Sequence, residues 1–369
     1  MVICQITTVH NRFDDRIFYK QCVSLVDKGF KVYLVANAQK NAIENGVEII
    51  PLSEKKNRIG RFFNMFSAFI KALKIQADIY HLHDPELLII GFLLKFAGKK
   101  VVFDFHELVY FQIKDKEWLG KSRFFIASFY KLIESFAVKL FDGLILAEDG
   151  YGDYIKKSYN QYISKFQYVR NFPVLSIINN TIANENQDIN TFRLIYAGGL
   201  TEIRGIYELI EALIDIDNIE LILLGPWEIE AYEEKCRSSV GFNKVNYIGV
   251  VKMVEVYSYM KIADVGIATL YPKENYLTSL PVKAFEYMAC GLPIIMSNFD
   301  LWQKMFSQCA LFVDPKDSTD IKDKILTIKN DQLLKKKLGE NSFTIVNELY
   351  SWESESLKLE GLYNKIYAN

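Results

Sequence analysis

Short apolar runs of β character alternate with amphipathic helical patterns along almost the whole chain, and this alternation limits the folds open to it. VICQIT, KVYLVA, VEIIPL, DIYHLH, KVVFDF, DGLILA and FQYVR read as strands of one sheet. FRLIYAGG, IELILLG, VNYIG, ADVGIA, LPIIM and CALFV read as strands of a second. Strands separated by helix-length segments run parallel, with helices on both faces, because a crossover helix returns the chain to the same edge. The expectation is an α/β chain of two Rossmann-like domains. The stretch NFPVLSIINNTIANENQDIN is polar, Asn-rich and without period, so it reads as their connection. The expected boundaries are a first domain over 1–172, a linker over 173–190, a second domain over 191–350 and a closing helix over 351–369.

A length of 369 residues, half of them hydrophobic, supplies two cores. The longest apolar run, Leu87 to Leu94, falls short of the roughly 18 residues a bilayer span needs. The start, VICQIT, has no basic region followed by an apolar stretch and a cleavage site, so a cytoplasmic protein is expected. Five cysteines without paired spacing, Cys4, Cys22, Cys236, Cys290 and Cys309, fit a reduced compartment and give no zinc framework. Residues 1–170 carry 25 Lys and Arg against 18 Asp and Glu, and the remainder 19 against 27. A basic first half and an acidic second half suggest different partners. No GxGxxG follows any expected strand, which argues against a dinucleotide-dependent dehydrogenase. Asp215-Ile216-Asp217 matches a DxD metal motif in form only, since it falls in a loop before a strand.

The segment Thr278 to Ser297, TSLPVKAFEYMACGLPIIMS, carries the most chemistry. Its Ser-x-Pro-x-Lys turn opens a helix, where free N–H groups and the positive dipole end suit a phosphate. Glu286 follows Ser279 by seven residues and Lys283 by three, so all three share one helix face. Glu286 also lies among Ala284, Phe285, Tyr287 and Met288, where an unpaired carboxylate is costly. An anion and a polyhydroxyl group held together describe a nucleotide sugar.

This segment resembles the donor-nucleotide motif of the retaining GT-B glycosyltransferases of family 4. The opening VICQITTVHNRFDDRIFYKQCVSL, YHLHDPELL, VVFDFHE, YAGGLTEIRGIYELIEAL and SWESESLKLEGLY fit the same family in order. The resemblance implies a GT-B architecture: two facing Rossmann-like domains with parallel sheets, and a last helix that crosses back to brace the first domain. It implies a nucleotide-diphosphate sugar as donor, no cofactor and no metal; nucleic acid has no place in it. Glu286 takes the place of the glutamate that binds ribose hydroxyls, and Thr278 that of the glutamate touching the donor sugar. Gly198 and Gly199 form the turn after the first strand of the second domain. Of the two cations the family sets on the diphosphate, Gly199 stands at one position and Arg204 at the other. Lys283 and the backbone amides near Ser279 and Leu280 are candidates to make up the difference. Base contacts are expected from backbone near Gly249 to Val251. His106 becomes the residue that meets the donor sugar, through its ring or its backbone carbonyl, with Asp104 and Glu107 placed to orient it. For Arg204 the plain alternative is a surface pair with Glu202 or Glu208.

In HNRFDDRIFYK, His10, Asp15, Arg16 and Lys20 are candidates for the acceptor, while Asp14 and Asp15 are positioned to cap the helix that follows. The His-x-His pair His81 and His83 puts two rings on one face of a strand, but no Cys or third His completes a metal set, and structural or acceptor-side roles are expected. KKNRIGRFFNMFSAFIKALK has six basic residues and no acid, with Ile59, Phe62, Phe63, Phe66, Phe69, Ile70 and Leu73 at helical spacing. This is the pattern of an interfacial helix on an anionic membrane, and also of a helix packed on a sheet. KEWLGKSRFFIASFYK tilts the reading towards peripheral membrane contact. The expected activity is transfer of a hexose-type sugar to a growing glycan, such as a lipid-linked polysaccharide or cell-envelope precursor. A weakly catalytic partner subunit and a sugar-nucleotide epimerase of the same fold are the alternatives.

Overall fold

The computed structural model describes residues 1–53, 58–184 and 190–368, with the backbone alone for residues 58, 59, 61, 62, 274 and 275. All thirteen runs expected as strands form strands. The chain divides into two compact units, residues 1–171 with 352–369, and residues 172–351.

The first unit holds β1 (Val2–Asn11), β2 (Lys31–Asn37), β3 (Ala42–Glu44), β4 (Val47–Leu52), β5 (Ile79–Leu82), β6 (Lys100–Phe105), β7 (Gly143–Leu146) and β8 (Phe166–Tyr168) in the order β3-β4-β2-β1-β5-β6-β7-β8. All pairs are parallel except β3 with β4, a hairpin that the apolar pattern does not announce. Its signal is the Asn45-Gly46 dipeptide, whose two residues both take positive φ as a tight hairpin turn requires. Alternate residues point to opposite faces of this sheet. Cys4, Ile6, Tyr80, Leu82, Val101, Phe103, Leu144 and Leu146 pack against the helices Arg58–Ile75, Leu88–Phe96 and Ser122–Leu140. The other face carries Gln5, His81, His83 and Asp104, all buried. It is covered in part by the closing helix Trp352–Ala368, which belongs to this unit. Trp352 Nε1 donates to Ser24 Oγ at 2.6 Å, and Lys28 pairs with Glu360 at 2.6 Å.

The helix Arg58–Ile75 departs from the single stripe expected of it. Met65, Ala68 and Ala72 are buried, with Phe69 and Leu73 packed beside them, while Phe63, Phe66 and Ile70 face outward. Small residues let the helix approach the sheet, so the bulkier half of the stripe is left outside. Lys55 and Lys56 lie outside the described residues, as do the side chains of Ile59 and Phe62.

The second unit holds β9 (Phe192–Ala197), β10 (Ile219–Leu224), β11 (Val245–Gly249), β12 (Val265–Ala268), β13 (Ile294–Ser297) and β14 (Ala310–Val313), all parallel in the order β11-β10-β9-β12-β13-β14. Its two faces give two cores: Ile195, Ile222, Ile294 and Met296 with Phe285, Trp302 and Phe306, and Leu194, Leu221, Leu223 and Ile295 with Leu209, Ile321 and Ile325. The segment expected as a linker is not a free tether. Leu175–Asn180 is helical, and Ile178 and Phe172 are buried in the second unit's core, because their apolar area gains more from packing than from solvent. Residues 185–189, the rest of the expected linker, lie outside the described residues. Asp215 and Asp217 sit exposed on the turn before β10.

Candidate functional site

In the second unit the strands are all parallel, so the turns that follow β9, β10 and β12 leave the sheet on the same side. The turn after β9 is held by Gly198 N–H to Leu224 O at 2.9 Å and Leu200 N–H to Pro226 O at 2.9 Å. Gly225, after β10, has φ +130°, and a Cβ there would lie 1.9 Å from Gly198 O, so two backbones meet where no side chain fits. Gly225 N–H in turn donates to Gly249 O at 2.8 Å, which brings the expected base-binding backbone beside the Gly198 and Gly199 turn.

Arg204 ends a single helical turn, Glu202–Arg204, and Gly205 then enters the helix Ile206–Ala212 through the left-handed region. Among the described residues no ion pair joins Arg204 to Glu202 or Glu208, the surface-pair alternative, and Arg204 instead meets Tyr196. The guanidinium lies beside the Tyr196 hydroxyl, which burial pushes up to about 12 against the pull of Arg204. The Arg204 carbonyl accepts from Thr269 Oγ1 at 3.2 Å, tying the turn to the end of β12.

The helix Val282–Ala289 starts directly after Pro281, as the Ser-x-Pro-x-Lys turn predicts. Glu286 is only 1% exposed, and Lys283 Nζ donates to its Oε2 at 2.7 Å. The Tyr257 hydroxyl approaches Oε1 at 3.5 Å. Lys283, expected on a phosphate, is therefore the counter-ion of Glu286, which removes the cost of burying that carboxylate alone. Ser279 and Leu280 are half-buried, and Trp302 Nε1 donates to Ser279 O at 2.9 Å, which fixes the turn. Thr278 is exposed. Cys290, at the end of this helix, is a half-buried thiol pushed up to about 12 by burial, as a packing residue would be.

In the first unit all four histidines of the chain converge near the ends of β1, β5 and β6. The ring centroids are 5.3 Å apart for His10 and His106, 5.2 Å for His83 and His106, and 4.4 Å for His81 and His83. His106 Nε2 is 3.1 Å from His83 Nδ1 and 3.4 Å from Asp104 Oδ2. Its carbonyl accepts from the Tyr151 hydroxyl at 2.8 Å. Asp104 thus lies against the His106 ring, while Glu107 turns to solvent and pairs with Gln112. His10 Nδ1 contacts Asp14 Oδ2 at 2.9 Å. That hydrogen bond raises the His10 pKa against its burial, with the Asp14, Asp84 and Asp104 charges adding to it.

Arg16 and Lys20 correct the sequence expectation. Arg16 grips both oxygens of Asp104, at 3.0 and 2.9 Å, and is almost wholly buried. Lys20 is fully buried and donates to Asn171 Oδ1 at 2.8 Å. Charges on the inner side of a helix against a polar sheet face find partners inside, so neither side chain is free to meet an acceptor. Asp14 caps this helix by accepting from Arg16 N–H and Ile17 N–H, while Asp15 sits half-buried in its first turn. Burial would raise Asp14, but the His10 and Ile17 hydrogen bonds hold it below its ordinary range.

His81, His83 and Asp104 come close enough together to surround a cation. Arg16 holds the carboxylate, and His83 Nε2 meets Gln5 Oε1 at 2.6 Å, while His81 Nε2 has no partner among the described residues. Burial drives the Asp104 pKa up, but the Arg16 charge and then His106 bring it well below the usual carboxylate range. Sequence reasoning misses Gln5, Tyr151 and Tyr363 here. Gln5 is the one polar residue in the run VICQI, which is a usable signal, whereas nothing local marks Tyr363.

A profile described as Glycosyltransferase Family 4 matches residues 15–163, and one described as Glycosyl transferases group 1 matches residues 178–344. The chain belongs to the GT-B glycosyltransferases of the family 4 type. Among solved structures, this family 4 chain is similar in fold to sucrose-phosphate synthase from Thermosynechococcus elongatus, with TM-score 0.78, 18% identity, 100% of this chain and 99% of that one covered. It is also similar to HepE of Anabaena in complex with UDP and glucose, with TM-score 0.71, 13% identity and 98% and 99% covered. A curated relative, the glycosyltransferase MJ1069 of Methanocaldococcus jannaschii, is 22% identical over 184 residues, 48% of this chain and 46% of the relative. The chain spans about half the length of the curated relatives it matches, 46% and 48%.

Proposed function

We propose that the protein transfers a hexose-type sugar from a nucleotide-diphosphate sugar to a glycan, with retention at the anomeric carbon and without a metal cofactor. The observation that carries this reading is that the Gly198 and Gly199 turn and Arg204 follow the end of β9, and that the helix bearing the buried Glu286 is tied to the ends of β9 and β12 through Tyr287. The Tyr287 hydroxyl accepts from Ala197 N–H and donates to Ile267 O. Open α/β sheets bind ligands at the carboxyl ends of their strands. As the bond from the anomeric carbon to the diphosphate breaks, its electron pair goes to the phosphate. Arg204 and the backbone amides are the groups suited to stabilise that charge. Glu286, paired with Lys283 at 2.7 Å, suits two ribose hydroxyls. HepE, similar in fold, holds UDP and glucose, which supports a nucleotide sugar as donor.

The acceptor in this reading is lipid-linked and reached at an anionic membrane. Three neighbouring helices support this with outward stripes: Phe63, Phe66 and Ile70; Ile89, Leu93 and Phe96; Phe125, Phe129, Leu132 and Phe136. By sequence the helices Arg58–Ile75, Leu88–Phe96 and Ser122–Leu140 carry eight Lys and Arg and one acid, Glu134, which is buried. A second copy of the chain across a two-fold axis would set this basic face against itself. Anionic lipid complements it. Among the described residues no helix is long and apolar enough to cross a membrane.

The deciding experiment is calorimetric titration with UDP, GDP, ADP and CDP and their common sugar conjugates. Saturable binding of one nucleotide, weakened in Arg204→Ala and Glu286→Ala, is expected. Binding without transfer to any glycan would instead favour a partner subunit, a reading to which the exposed Thr278 lends itself. Product analysis without acceptor separates an epimerase, and no binding at all overturns the donor site.

A further inference from the structure

The polar groups beneath His106 form a chain whose hydrogen positions follow from the Gln5 amide. Tyr363 has one hydroxyl proton, and it lies 2.6 Å from His81 Nδ1 and 3.2 Å from Gln5 Nε2. The amide nitrogen of Gln5 can only donate, so the Tyr363 oxygen accepts from Gln5. Gln5 Oε1, turned the other way, can only accept, so His83 Nε2 carries a proton at the 2.6 Å contact. Burial, reinforced by the neighbouring rings of His81 and His106, holds His83 neutral. A neutral imidazole with Nε2–H has a bare Nδ1. The partner of that bare nitrogen, His106 Nε2 at 3.1 Å, must donate. Asp104 Oδ2, 3.4 Å from the same His106 nitrogen, is an acceptor only and favours the same proton position.

We infer that Gln5, acting through His83, is a positioning residue that fixes His106 as its Nε2–H tautomer and leaves the bare Nδ1 as the ring's acceptor for a substrate hydroxyl. Among the described residues Nδ1 of His106 has no partner, and the side chain is 19% exposed, whereas every other polar atom of the His83 ring is engaged. The carbonyl of His106 already accepts from Tyr151, which makes the ring the better-placed of its two polar groups. The assignment rests on reading His106 as the side chain that meets the donor sugar. It also gives the closing helix a part in the site, since Tyr363 on that helix accepts from the Gln5 amide.

The test is long-range nitrogen–proton correlation spectroscopy of the full chain labelled with nitrogen-15. Only four histidines are present, so each ring is assigned by a single His→Gln variant. The expected result for the unmodified protein is His83 and His106 both protonated at Nε2 with Nδ1 bare. A ring of His106 protonated at Nδ1 overturns the inference, and this readout needs no variant to fold. Gln5→Leu removes the acceptor and is expected to split His106 between two tautomers, while Gln5→Glu, which retains an acceptor, restores one. A His106 tautomer unchanged in Gln5→Leu also overturns it. In a transfer assay Gln5→Leu is expected to lower kcat with little change in KM. Full activity of His106→Ala would remove the functional reading of His106 while leaving the spectroscopic result intact, so the two failures are distinguishable.

Discussion

The Tyr363 hydroxyl is hydrogen-bonded to His81 Nδ1 at 2.6 Å, although 282 residues separate them. The last helix of the chain is thereby part of the interior of the first unit, reaching the polar face of its sheet under β5. Tyr363→Phe leaves His81 Nδ1 and Gln5 Nε2 buried without their partner. The expected loss is about 1–3 kcal/mol of stability, read as a lower midpoint of urea unfolding at unchanged slope. An unchanged midpoint would show that the hydroxyl contributes nothing net.

The same face sets an acid limit on stability. Burial lowers the His81 pKa from 6.5 to about 3, and burial with the neighbouring rings lowers His83 well below 6.5. The unfolded chain therefore takes up these protons first as pH falls. Stability from the two groups is complete above pH 6.5 and is lost progressively as pH falls towards the depressed folded values. Each contributes a slope of about 1.4 kcal/mol per pH unit within that window. His81→Gln should flatten the dependence of unfolding free energy between pH 6.5 and 4.5 by about one proton, measured by denaturant titration at several pH values.

Glu286 is held by Lys283 at 2.7 Å and is buried in the helix that follows the Ser279 turn. Glu286→Gln keeps the shape but removes the charge that would accept from ribose hydroxyls. Nucleotide affinity should fall about tenfold or more, the scale of a lost hydrogen bond to a charged group. Calorimetry reads this directly, and unaltered affinity would remove Glu286 from the donor site.

Gly225 cannot take a side chain while Gly198 stays where it is, since a Cβ would lie 1.9 Å from the Gly198 oxygen. Gly225→Ala must push the ends of β9 and β10 apart and also strain φ +130°. The expected cost is about 2–4 kcal/mol, with nucleotide binding impaired beyond the effect of the stability loss. Thermal unfolding and titration at a temperature where the variant is folded separate the two.

The outward stripe of Ser122–Leu140 gives a surface test. Phe125 is 78% exposed and Phe129 58% exposed, so Asp at either position loses little packing. The double variant Phe125→Asp with Phe129→Asp should retain its unfolding midpoint and lose flotation with vesicles containing anionic phospholipid. Binding of the unmodified protein to neutral vesicles equally well, or a dimer that the variant abolishes, would overturn the lipid assignment.

Local pattern alone was enough for the thirteen strands, for the parallel connections and for the helix that opens after Pro281, because alternation, helical spacing and a proline at a helix start act within a few residues. The same local reasoning placed Asp14 as a cap and set Glu286 among apolar neighbours. What it could not reach was which charge meets which. Arg16 and Lys20 look like solvent-facing cations in HNRFDDRIFYK, but Asp104 and Asn171, far along the chain, draw them inside. Lys283 looks like a phosphate ligand until the helix turns it onto Glu286. The hairpin at Asn45-Gly46, the outward half of the Arg58–Ile75 stripe and the convergence of four histidines depend likewise on neighbours that only folding supplies. The sequence determined which segments become strands and helices because those preferences are short-range. Tertiary structure decided the ionic and hydrogen-bond partners, because electrostatic and hydrogen-bond energies depend on distance in space and on burial rather than on separation along the chain.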